Sequence, residues 1–249
     1  MRAQAEALVS GKPNVIAVST ATALRETQRA AGNIPIVFWA VSDPVGNKFV
    51  RNLARPDGNT TGFSLFEYEM GGKWLQLLKE AAPHLKRALV LMNAANPNLP
   101  GWLRAIEPVA PALGLELIRP NVFDAAQTEP AISAFARDAN GGLILLPDPF
   151  LAPHREVIIK LTAKYRLPML SGVSSFSDLG GLISYGIDQV DLAKRAVNYV
   201  SRILNGEKLG ELPVQAPTMF ELVINMKTAR AFGLRIPQTF LVRADRVIE

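Results

Sequence analysis

Short apolar runs alternate with helix-forming stretches along most of the chain. The pattern is plainest over residues 14–44, which read as two copies of one unit. Val15-Ile16-Ala17-Val18 is an apolar run of strand length. It breaks into Ser19-Thr20 and then into a helix over 21–31, stopped by Gly32-Asn33. Ile34-Pro35-Ile36-Val37-Phe38-Trp39-Ala40 is the next run, and it breaks into Ser42-Asp43-Pro44. Such alternation predicts parallel strands joined by crossover helices. The fold class expected is α/β, with parallel sheets flanked by helices.

The unit recurs downstream. Residues 2–10 read as the last turns of a crossover helix with Gly11 as its stop. Asp57-Gly58-Asn59-Thr60-Thr61-Gly62 is a turn cluster and the approach to a hinge. Ser64-Leu65-Phe66-Glu67 has capping-box spacing, which predicts a helix starting there. Tyr68, Leu75, Leu78 and Ala82 continue it at helical spacing, and Pro83 closes it. Gly71-Gly72 either weakens this helix or lets another backbone come close. Further strands are expected at 87–92, 115–118, 142–146, 167–170, 181–185 and 220–224. Helices are expected from Leu99, kinked or split by Pro108 and Pro111, and at 128–138, 153–165, 228–232 and 238–242. The longest well-patterned helix runs from Gln189 to Leu204. Leu192, Ala196, Val200 and Ile203 line one of its faces, and Asn205-Gly206 stops it.

Composition narrows the classes. The 249 residues are 49% hydrophobic, enough for buried cores. The formal net charge is +5, but Lys and Arg are spread along the chain, so no nucleic-acid partner is expected. Cys is absent, which removes disulfides and thiolate metal sites. No apolar run approaches the roughly 20 residues of a spanning helix. The opening residues lack the apolar core of an export signal. No metal site and no cofactor are expected: there is no glycine-rich phosphate loop and no carboxylate cluster at useful spacing.

In parallel α/β sheets, ligands bind outside the carboxyl ends of the strands. Here those ends carry hydroxyls, amides and a few acids, chemistry suited to holding a small polar molecule. Ser19 and Thr20 stand where a strand hands over to a helix; they can cap the helix, hold a carboxylate, or both. Ser42 and Asp43 close the next strand, and Ser64 follows the turn cluster. Asp43 can pair with an ammonium, or form a turn before Pro44. Asn93, Asn96 and Asn98 follow another strand, as turn formers, a helix cap or polar contacts. Asp148 and Phe150 end the 142–146 strand, and Phe150 can stack on an aromatic ligand or fill core. Ser171, Ser174 and Phe176 lie on a loop, and Tyr185 and Asp188 follow the 181–185 strand. Asp188 is the best-placed N-cap in the chain, with Asp191 at capping-box spacing. Its position where the chain crosses back also makes it the first choice for an ammonium partner; a buried carboxylate with no visible partner would imply a ligand cation.

Several stretches together resemble a known family: residues 34–44, Asn52-Leu53-Ala54-Arg55-Pro56 running to Asn59-Thr60-Thr61-Gly62, residues 91–98, residues 180–186, and Phe220-Glu221-Leu222-Val223-Ile224-Asn225. In order and spacing they are similar to the ABC-transporter substrate-binding protein family that includes tryptophan- and tyrosine-binding members. The resemblance covers essentially the whole chain. It implies the type I periplasmic binding protein fold, two α/β lobes joined by crossing strands with the ligand in the interlobe cleft. It assigns 1–62 with 187–215 to the first lobe, 63–186 to the second, and 216–249 to a segment crossing back. Related proteins begin with an export signal and a strand-helix-strand before the region matching Arg2, so the first lobe is expected to be incomplete.

The resemblance further implies a receptor of an ABC importer that closes on a small amino-acid-like ligand, aromatic or branched. It implies an ABC permease as partner, a periplasmic or extracytoplasmic location, and the Ser19-Thr20 loop on the ligand's carboxylate. Two alternatives remain: the ligand-sensing domain of a regulator, and a small α/β hydrolase. The hydrolase reading has two His, His84 and His154, no Cys and no Gly-x-Ser-x-Gly elbow, and a carboxylate-only mechanism stays open to it; no catalytic residue is expected.

Overall fold

Gly141–Leu145 is buried at every position, as a strand covered on both faces must be. It is one of the strands in the computed structural model of the chain, which describes residues 1–65 and 68–249. In chain order the elements open with α1 (Arg2–Ser10), β1 (Ile16–Val18), α2 (Ala21–Ala30), β2 (Ile36–Val41), β3 (Thr60–Ser64), α3 (Met70–Ala81) and β4 (Arg87–Leu91). Next come α4 (Leu99–Ile106), β5 (Glu116–Ile118), α5 (Thr128–Phe135), β6 (Gly141–Leu145), α6 (Arg155–Tyr165), β7 (Met169–Ser171) and α7 (Ser174–Asp178). The chain ends with β8 (Ile183–Ile187), α8 (Gln189–Leu204), β9 (Phe220–Asn225), α9 (Met226–Phe232), α10 (Gln238–Leu241) and β10 (Arg246–Ile248).

The chain divides into two units: Met1–Glu67 with Ile187–Met219, and Tyr68–Gly186 with Phe220–Glu249. The first holds a parallel sheet in the order β1-β2-β3. Its core gathers Ile16, Val18, Leu24, Ile36, Phe38, Val41 and Phe49. The register slips by one residue between Phe38 and Val41, where Ala40 takes φ 58, a bulge near the end of β2. Beside Phe38 only glycine fits: a Cβ on Gly62, at φ 153, would lie 1.9 Å from the Phe38 carbonyl oxygen. Helix α8 covers β2 and β3. Its predicted boundaries hold, but its buried face is Leu192, Ala196 and Tyr199, with Val200 and Ile203 only half-buried. Tyr199 joins that face because its ring lies 4.6 Å from Phe63 and its hydroxyl donates to the Pro213 carbonyl at 2.9 Å.

The second unit holds a sheet in the order β5-β4-β6-β7-β8-β9-β10. Strands β5 to β8 are parallel. Strand β9 runs against β8: the Asn225 N–H bonds Leu182 O and the Asp188 N–H bonds Met219 O, matching the two strands end to opposite end. On one face of the sheet, Leu89, Leu143 and Met169 meet Ile132, Ile158 and Phe176. Helices α3 and α4 pack together, and a Cβ on Gly71 would come within 2.6 Å of Ile106. The close approach expected at Gly71-Gly72 is to α4 and the turn after it: the Ile106 and Val109 side chains, and the Ala105 backbone carbonyl 3.4 Å from a Cβ on Gly72.

Some expectations are corrected. Ser64 does not start a helix. It closes β3, buried, with its N–H on the Gln215 carbonyl at 2.9 Å, and the next helix begins at Met70. Pairing with β2 outweighs the local cap pattern; Phe66 and Glu67 of that pattern lie outside the described residues. Gly11 ends α1 at φ −70, and the left-handed turn falls on Lys12 at φ 48. Ser174 is helical, opening α7, where a loop was expected. Strand β10 had no counterpart in the sequence reading.

Candidate functional site

In the first unit, the carboxyl ends of β1, β2 and β3 share one sheet edge, which brings Ser19, Thr20, Ser42, Asp43 and Ser64 to that edge. Thr20 caps α2, its hydroxyl accepting from the Ala23 N–H at 3.2 Å. Ser19 beside it is half-buried. Ser42 is buried, and its carbonyl accepts from the Asn47 side-chain amide at 3.1 Å. Asp43 takes φ 44, and one of its carboxylate oxygens accepts from the Gly46 N–H at 2.8 Å. That is the turn-forming role, and the carboxylate stays half-buried. The Ser64 hydroxyl points at the Gln215 carbonyl at 3.4 Å.

Asp188 caps α8: one carboxylate oxygen accepts from the N–H groups of Val190 and Asp191 at 2.8 and 3.0 Å. The residue is exposed. One of its oxygens serves the cap and the residue faces water, so the argument from a buried, unpaired carboxylate does not apply to it.

In the second unit, Leu91, Leu145, Ser171 and Ser184 are successive register partners across β4, β6, β7 and β8. Asn93, Asp148 and Tyr185 lie just beyond that line, at one edge of the sheet. Asp148 knits the edge together. One of its oxygens accepts from the Asn93 N–H at 2.8 Å and the other from the Phe150 N–H at 2.9 Å. Asn93 shapes its loop, accepting from the Ala95 N–H at 2.8 Å and donating to the Phe123 carbonyl at 3.2 Å. The Asn96 side chain accepts from the Asn98 N–H at 2.9 Å. Asn98 precedes α4 without a side-chain cap; its side-chain oxygen accepts from the Tyr68 hydroxyl at 3.1 Å instead. Phe150 packs on the core cluster, 5.7 Å from the His154 ring. The Ser171 hydroxyl accepts from the Val173 N–H at 3.2 Å, and Ser174 is half-buried in the first turn of α7. Phe176 is buried core.

Two residues at this edge escaped the sequence reading. Ser184, beside Ser171, is 1% exposed, and its hydroxyl has no hydrogen-bond partner among the described residues. An apolar alternation in β8 hides it. Phe220 opens β9 with its ring 5.9 Å from Tyr185 and tilted 32°. Because β9 is antiparallel, its amino end meets the carboxyl end of β8, so a search confined to carboxyl ends passes over it. No local signal announces the direction of that strand.

Taken each by itself, both edges carry hydroxyls and backbone N–H groups, and that of the second unit adds partly exposed aromatic rings, chemistry suited to a small polar solute. Over residues 2–248 the chain matches the model of the family described as ABC transporter substrate binding protein. The chain belongs to this family. Its members bind substrates without transforming them, and the family is typically extracytoplasmic. A tyrosine-binding protein of Clostridioides difficile (strain R20291) is 26% identical over 233 residues, 93% of this chain and 66% of that protein. The chain thus spans slightly under two thirds of the length of that relative. A conserved domain protein from Vibrio cholerae superposes with TM-score 0.90 at 28% identity, covering 99% of this chain and 82% of that chain. The ABC domain of Streptococcus pneumoniae in complex with L-Trp gives TM-score 0.90 at 23% identity, covering 99% of this chain and 83% of that one. The substrate-binding protein family is thus established, and the fold is that of the type I periplasmic binding proteins, as the resemblance implied. Among the described residues no helix is long and apolar enough to cross a membrane.

Proposed function

We propose that the chain is the solute receptor of an ABC importer and that its ligand is amino-acid-like, aromatic or branched. On this reading its two units are the receptor's lobes, and it delivers the ligand to a membrane permease on the extracytoplasmic side. The family match over residues 2–248 carries the reading. Two relatives bear on the ligand: a tyrosine-binding protein and a domain in complex with L-Trp.

The strand ends suit such a solute. The N-terminus of α2, with Ser19 and Thr20, offers N–H groups and hydroxyls to a carboxylate. Ser42, Ser64, Asn93, Asn96, Ser171 and Ser174 supply neutral polar contacts. Asp43, Asp148 and Asp188 are the acids within reach of these edges. Asp148 holds two loops with both oxygens, whereas one oxygen of Asp43 serves a turn and one of Asp188 a cap, so the second oxygen of either can meet an ammonium. Phe150 and Tyr185 offer apolar contact to a side chain.

A thermal-shift screen across the amino acids tests this. At a ligand concentration of 100 Kd, linkage stabilises the folded state by about 2.7 kcal/mol, so a true ligand raises Tm clearly. Tryptophan, tyrosine or branched amino acids are expected to do so. No shift with any amino acid, together with turnover of an ester substrate, would overturn the reading in favour of a hydrolase.

A further inference from the structure

Phe220 stands apart from the other residues of the binding edge. It comes from a strand running the opposite way, and the sheet delivers it to the same place. The bonds from Asn225 N–H to Leu182 O and from Asp188 N–H to Met219 O set the start of β9 against the end of β8. The register line through Leu145, Ser171 and Ser184 ends one residue short of Tyr185. Tyr185 therefore lies level with Gly172, in the loop after β7, and Phe220 lies opposite Ile187, two residues farther along the same edge. Their ring centroids are 5.9 Å apart at 32°.

Neither ring is fully sequestered: Tyr185 is half-buried and Phe220 is 36% exposed. Structural aromatics on the helices of the same unit behave differently, since Trp74 of α3 and Trp102 of α4 are 0% and 1% exposed. A half-exposed aromatic pair at a binding edge leaves apolar surface that a ligand can cover. Aromatic rings gain most from another ring held roughly 4.5–7 Å away, offset or edge-on.

We propose that Phe220 is a specificity-determining residue. With Tyr185 it forms an aromatic wall at the edge of the second unit, and this wall selects ligands carrying a flat ring over aliphatic ones of similar size. The inference rests on the receptor reading and goes beyond it by naming a residue and a direction of selectivity.

Isothermal titration with L-tryptophan, L-tyrosine and L-leucine tests it, on the wild type and on Phe220→Ala, Phe220→Leu and Phe220→Tyr. Phe220→Ala and Phe220→Leu are expected to weaken the aromatic ligands by about tenfold, in line with the worth of an aromatic pair. L-leucine should change less than about threefold, and Phe220→Tyr should restore aromatic binding. Thermal denaturation of each variant, read without ligand, checks that it folds. Unchanged aromatic affinity in Phe220→Leu overturns the inference and leaves the receptor intact. An equal loss for L-leucine also overturns it, by showing that Phe220 only supports the strand. A wild type that binds no aromatic amino acid overturns the selectivity at its source, and that result is visible before any variant is made.

Discussion

The indole N–H of Trp74 donates to the backbone carbonyl of Tyr185 at 2.7 Å, tying α3 to β8. Trp74 is fully buried and stacks on Trp102 at 4.9 Å and 19°, with the Tyr68 ring edge-on to Trp102 at 5.4 Å. One side chain thus connects two helices and the strand that carries the aromatic wall. Trp74→Phe should keep part of the stacking and strand the Tyr185 carbonyl. The expected loss is about 1–3 kcal/mol, read as a lower urea midpoint with an unchanged slope.

Arg195 plays a comparable part in the first unit. Its guanidinium lies 4.8 Å over the Phe63 ring and donates to the Gln215 side chain. Arg195→Ala should destabilise by about 1–2 kcal/mol, from the cation–π contact and the hydrogen bond together. Arg195→Lys should recover only part, because an ammonium lacks the planar fork. A double-mutant cycle with Gln215→Ala should return a coupling of about 0.5 kcal/mol or more.

Asp148→Asn replaces one acceptor with an amide donor facing a backbone N–H. One of the bonds to Asn93 and Phe150 must then fail. Faster amide exchange at those two residues is the expected outcome, with a stability loss of about 1–3 kcal/mol. Unchanged exchange at both would show that the loops after β4 and β6 hold without it.

Gly62→Ala forces a Cβ against the Phe38 carbonyl oxygen in a backbone conformation that side chains rarely adopt. A loss of more than about 2 kcal/mol is expected, measured by equilibrium denaturation. The loss should come from the first unit, with near-ultraviolet signals of Trp74 and Trp102 last to change.

Glu207 accepts two hydrogen bonds from Arg202, one of them at 2.6 Å. The Arg202 hydrogen bonds hold its carboxyl below the usual glutamate range. A lowered folded value means its stabilisation is complete above the unfolded glutamate pKa and fades as pH falls through the folded one. Glu207→Gln should therefore lower Tm near neutrality and converge with the wild type in acid. A carboxyl titration by NMR should show the depressed midpoint directly.

The strand–helix alternation was legible because apolar runs such as Leu89-Val90-Leu91 and Leu143-Ile144-Leu145 are buried on both faces. Helix α8 was legible to the residue, since Asp188 caps it and Asn205 ends it. The failures have physical causes. At Ser64 a good local cap lost to pairing with β2 and with the Gln215 carbonyl, a partner distant in sequence. Strand β10 is too short to show a period. At the candidate edges, hydroxyls and amides announced themselves by residue type. Whether Asp188 is buried, and which way β9 runs, depends on packing that no local pattern encodes.

The interrupted first unit has a consequence for synthesis. Helix α8 covers β2 and β3, yet residues 68–186 come between them in the chain. On the ribosome, the sheet bearing Phe38 and Phe63 must wait for the whole intervening stretch to emerge before its cover arrives. Contacts so far apart close slowly. The nascent chain therefore carries an uncovered apolar surface for many seconds at typical elongation rates, and holdase chaperones would be expected to engage it over that interval.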